Sequence, residues 1–95
     1  MNATDNRRAA ELHVHTIMDL LSSAPNRHEL QPLIDECESL VRAITAFHLE
    51  AIRFRMFNVD RLLTRGGLPV PDGVAASFAA ARQELEAAGF HTRSH

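Results

Sequence analysis

The chain predicts an all-α fold built around one long central helix, and three observations carry that expectation. Apolar residues recur at helical spacing along nearly the whole chain. Strand signals are missing, with no sustained two-residue alternation, no Tyr or Trp and no Asn-Gly turn. Helix breakers cluster at Pro25-Asn26, between Gly66 and Gly73, and at Gly89, which leaves three helical stretches.

The first helix is expected over about 5–22, with Thr4 as N-cap because its hydroxyl can accept an orphan backbone N–H. Ala10, Val14, Ile17, Leu21 and Ala24 fall on one face, and Met18 and Leu20 widen it. After Pro25-Asn26 a short helical turn is expected near Arg27–Leu30. The main helix then restarts with Pro32 in its first turn, where a missing N–H does no harm.

The central helix is expected to run uninterrupted over 32–65, about 50 Å at 1.5 Å per residue. Leu33, Cys37, Leu40, Ile44, Phe47, Ala51 and Phe54 make one apolar seam along it. A second row holds Ile34, Val41, Ile52, Met56, Val59 and Leu63, and Phe57 lies off both. Leu68 to Gly73 is a stiff two-proline connector. The third helix is expected over 73–88, with Asp72 as its cap, Gly89 as its stop, and Val74, Phe78, Ala81, Leu85 and Ala88 inside. The chain reads as one helical domain over 1–90 followed by a frayed tail over 91–95.

Composition bounds the function. Ten basic residues, all arginine, face twelve acidic ones, and the formal charge is −2. That balance is wrong for bulk attraction to nucleic acid. Cys37 is the only cysteine, so there is no disulfide framework, and a lone thiol suits a reducing compartment. Met1 to Arg8 is polar, without the apolar stretch of a secretory signal, and no apolar run approaches a membrane span. The expectation is a soluble, cytoplasmic protein.

The second half of the central helix is apolar over more than the single stripe that a surface helix needs. The flanking helices are too short to cover a rod of that length on all sides, which points to a partner. Charge divides along the same rod. Glu29, Asp35, Glu36, Glu38 and Glu50 stand against Arg42, and Arg53, Arg55, Arg61 and Arg65 against Asp60. An antiparallel homodimer sets each acidic half against a basic half and completes a bundle, and Asn58 on the seam is placed to fix register. The expected interface residues are Ile44, Phe47, Ile52, Phe54, Met56, Phe57, Val59 and Leu63. A compact monomeric three-helix bundle and a different protein as partner are the rival arrangements.

Chemistry-bearing residues support weaker alternatives. Glu11, His15 and Asp19 lie on one ridge of the first helix and, with His48 nearby, offer metal or small-ligand donors. The same spacing is ordinary on a solvated helix face. Arg53, Arg61 and Arg65 form a ridge with Phe57 that offers contacts to phosphate or a stacked base, without the aromatic platform of a single-strand binder. Cys37 has Glu36 and Glu38 beside it in sequence, which disfavours a thiolate nucleophile. There is no phosphate loop, nucleophile elbow, zinc-protease or CxxC motif. The reading is a non-enzymatic helical interaction protein without a cofactor: an adaptor, assembly factor or regulatory subunit.

Overall fold

The structure, a computed structural model, describes residues 2–90, so Met1 and the tail expected to fray, 91–95, lie outside the described residues. Four α-helices account for most of the rest: α1 (Ala3–Ser22), α2 (Gln31–Thr45), α3 (Leu49–Arg65) and α4 (Val74–Ala87). One 3₁₀ turn, Arg27–Leu30, precedes α2, and Pro32 sits in the first turn of that helix, both as expected. No strand occurs among the described residues.

The α1 helix begins two residues before the expected start. Asn2, not Thr4, is its cap, and the Asn2 Oδ1 accepts the Asp5 N–H at 3.0 Å. Asparagine caps at least as well as threonine, so the earlier start loses nothing. Ala10, Val14, Ile17 and Leu21 are fully buried along one face. Asn6 begins that row, and its Nδ2 donates to the Glu84 Oε2 of α4 at 2.9 Å, so the one buried polar side chain among the described residues is partnered. The turn after α1 is held by Asn26, whose Nδ2 donates to the Pro69 carbonyl at 2.9 Å.

The expected continuous helix over 32–65 is two helices. The α2 helix ends at Thr45, Phe47 adopts a left-handed φ of 58°, and α3 starts at Leu49. The hydrogen bonds at the break form a Schellman motif: the His48 N–H reaches the Ala43 carbonyl and the Phe47 N–H the Ile44 carbonyl, both at 3.1 Å. His48 then caps α3, its Nδ1 accepting the Ala51 N–H at 3.1 Å. A straight rod of about 50 Å would not fit a molecule whose longest dimension is 38 Å.

The two halves fold back on one another. Leu33, Ile34, Cys37, Leu40 and Ile44 of α2 join Ile52, Met56 and Val59 of α3 in the shared core. One pair of the charges expected to meet between two copies, Glu36 and Arg55, meets inside one chain. The Glu36 carboxylate accepts from Arg55 at 3.1 Å and from Asn58 Nδ2 at 3.2 Å, so the expected register residue is used within the hairpin.

In space α1 lies between α4 and α2, and α2 carries α3. The inner row of α4 is Val74, Phe78, Ala81 and Leu85, with Ala88 partly buried beyond it. Its cap is Gly73 rather than Asp72. The chain enters the helix through a left-handed turn, φ 96°, which leaves Asp72 one position too early to cap. Gly89 stops the helix as expected, in a second Schellman motif that seats Phe90 in the core. An ion pair at 3.7 Å between Arg82 and Asp60 links α4 to α3.

Candidate interaction surface

The α3 helix has two apolar faces, and only one of them is used by the fold. Ile52, Met56 and Val59 are spaced to lie on one side, and all three are fully buried. At about 100° per residue, Phe54 and Phe57 stand on the opposite side. Their exposures are 55% and 51%, where a packed phenylalanine such as Phe78 shows 4%. Half-exposed aromatic rings grouped on one helix face are the informative kind of surface apolar residue.

Around these rings the surface is charged. Glu50 lies one turn before Phe54 and Arg61 one turn after Phe57, so Glu50, Phe54, Phe57 and Arg61 form one row of 4-3-4 spacing. The Arg61 guanidinium stands 5.9 Å from the Phe57 ring centre, and that of Arg55 5.0 Å from the Phe54 ring. Glu50 pairs with Arg53 at 3.3 Å along the helix, both side chains open to solvent. Arg65 ends the face in the last turn.

Of the eight expected interface residues, four lie inside the chain itself. Ile44, Ile52, Met56 and Val59 are fully buried in the chain's own core, where the α2–α3 hairpin covers them. Leu63 packs partly against that core. Phe47 is half-exposed, but its ring is engaged within the chain. It meets Phe90 edge-on with centres 5.2 Å apart, and the Arg7 guanidinium lies 4.2 Å from its centre. Phe54 and Phe57 are the two that are half-exposed on the outer face of α3.

The other candidate sites come out differently. Among the described residues no three His, Cys, Asp or Glu side chains assemble as a metal site. Glu11, His15 and Asp19 stay on α1, with His15 and Asp19 exposed. His48 is exposed, and its Nδ1 lone pair is taken by the Ala51 N–H. Asp19 lines an open groove of about 500 Å³ with Thr16, Leu20, Ser23, Ala24, Pro25 and Pro71, which offers one carboxylate and two hydroxyls on an apolar wall. The arginine ridge is divided: Arg53 is paired with Glu50, and Arg61 leans on Phe57.

Cys37 is fully buried, and burial together with the neighbouring Glu36 carboxylate pushes its thiol up to about 12. It therefore stays a protonated packing group at neutral pH.

Several structural residues carry no mark in the sequence. Phe47 carried no turn signal, because phenylalanine rarely takes a positive φ. Arg7, Phe90 and Arg82 act through contacts that are distant in sequence and had no local mark. Among the described residues no helix is long and apolar enough to cross a membrane. Comparison with protein-family models, with curated proteins and with solved structures found no match.

Proposed function

We propose that this chain is a non-enzymatic interaction protein, an adaptor, assembly factor or regulatory subunit, and that the outer face of α3 is its contact surface. The observation that carries this reading is the pairing of half-exposed Phe54 and Phe57 on a helix whose opposite face is already buried. Within the chain the Arg55 and Arg61 guanidinium groups cover part of those rings, and leaving the rest in water is unfavourable by roughly 25 cal/mol per Å² of apolar area. A helix-sized partner laid along the face removes them from water and meets Glu50, Arg61 and Arg65 at its rim. A homodimer is the simplest assembly that such a face allows. The single buried thiol fits a reducing compartment, and the cytoplasm is the proposed location.

The test is a double substitution, Phe54→Ser with Phe57→Ser. Both side chains point away from the core, so stability should stay within about 1 kcal/mol of the parent. Association, with itself or with another protein, should be lost. If the doubly substituted protein assembles as the parent does, the contact surface lies elsewhere.

A further inference from the structure

The row Glu50, Phe54, Phe57, Arg61 on α3 has a symmetry that selects its partner. Two antiparallel helices related by a two-fold axis bring together positions whose residue numbers have a constant sum. With the axis between Phe54 and Phe57, Phe54 of one copy faces Phe57 of the other. The same operation sets Glu50 of each copy opposite Arg61 of its mate. The pattern is acid, ring, ring, base, and it complements itself only when reversed. We propose that the occupant of this face is a second copy of the same chain, docked α3 against α3, antiparallel, in that register. This rests on the reading of the α3 face as a contact surface, and it adds the partner and the geometry.

Charge favours this occupant over two others. A strongly acidic helix would meet Glu50 at one end of the row, and a nucleic-acid backbone would meet the same carboxylate. A second copy pairs both ends at once. The Glu50–Arg53 pair is exposed at both side chains and worth little, so exchanging it for a pairing across the seam is cheap. The α2–α3 hairpin is undisturbed, because Ile52, Met56 and Val59 stay buried against their own chain. From Glu50 to Arg61 the seam is about 17 Å long. A contact of that length buries less than the roughly 800 Å² per partner of a standard interface. The dimer should therefore be weak and concentration-dependent, with a Kd in the micromolar range or above.

The test is sedimentation equilibrium from about 5 µM to about 1 mM, with far-UV circular dichroism to confirm that each variant stays helical. Glu50→Arg alone and Arg61→Glu alone each set like charges against each other at both ends of the seam. Each should weaken the dimer roughly tenfold. The double variant E50R/R61E restores complementarity only in the antiparallel two-fold register, and its Kd should return to within about threefold of the parent. A parent chain that stays monomeric throughout the range overturns the second copy as partner. A dimer that Phe54→Glu abolishes but the double swap fails to rescue overturns the register. A dimer indifferent to Phe54→Glu overturns the contact surface itself, so failure of the geometry and failure of the underlying reading give different results.

Discussion

Two helices of this protein end in the same backbone motif, written once with glycine and once with phenylalanine. At the end of α4 the Phe90 N–H reaches the Leu85 carbonyl at 2.9 Å and the Gly89 N–H the Glu86 carbonyl at 3.0 Å. At the end of α2 the equivalent bonds run from His48 to Ala43 and from Phe47 to Ile44. Gly89 takes the left-handed conformation freely, whereas a residue with a Cβ meets its following carbonyl there and is destabilised by roughly 1–2 kcal/mol. Tertiary contact offsets that strain at Phe47. Its ring packs edge-on against Phe90 and lies under the Arg7 guanidinium, so the corner is held from α1 and from beyond α4. One terminus is locally encoded, and the other depends on the rest of the fold.

The sharpest way to break that dependence is Phe90→Ala. Phe90 is only 5% exposed and supports both its own core position and the Phe47 ring. The expected loss is about 3–5 kcal/mol, read as a lower denaturant midpoint. A loss under about 1 kcal/mol would show that Phe47 does not lean on it.

A smaller effect separates strain from contact. Phe47→Ala keeps the left-handed φ and deletes the ring, whereas Phe47→Gly deletes the ring and relieves the backbone. The glycine variant should be the more stable of the two by about 1 kcal/mol, and Gly89→Ala should cost about the same at the other terminus. If alanine and glycine are equivalent at position 47, that residue does not hold the left-handed conformation in solution.

An effect of similar size concerns how α3 restarts. His48→Ala removes the acceptor for the Ala51 N–H and should cost about 1 kcal/mol, and His48→Ser should recover most of it. Chemical denaturation of the three proteins decides this. Equal losses for alanine and serine would mean that the imidazole acts by packing and not by capping.

The break between α2 and α3 was partly legible, though not as a breaker. Leu33, Cys37, Leu40 and Ile44 repeat at 4-3-4 spacing. Continued as a heptad, that repeat leads to Phe47, Ala51 and Phe54, of which both phenylalanines are half-exposed. Burial resumes instead at Ile52, Met56 and Val59, one residue out of phase. Such a shift has two solutions. Either one continuous helix runs through the shift with apolar residues on two sides, or the helix breaks and each half buries its own row. With no Gly, Pro or Asn between Thr45 and Glu50, local sequence favoured the first and the structure adopts the second. Of the divided charges, the hairpin pairs Glu36 with Arg55 internally.

What was readable on the outer face of α3 was Phe54 and Phe57. Both were expected to anchor an interface, and both stay outside the core. Ile44, Ile52, Met56 and Val59 were indistinguishable from them by composition, since the same apolar spacing serves a neighbour in the chain or a neighbour in another molecule.

By itself the sequence determined the all-helical class, the row of α1 from Ala10 to Leu21, the restart at Pro32, the inner row of α4 and the stop at Gly89. Each of these rests on spacing or on a residue whose backbone preference acts within a turn or two. Only the tertiary structure decided the hairpin, the corner at Phe47 and which phenylalanines reach water. Those depend on contacts such as Phe47 with Phe90 and Asn6 with Glu84, made between positions far apart in the chain, where the free energy of packing outweighs local preference.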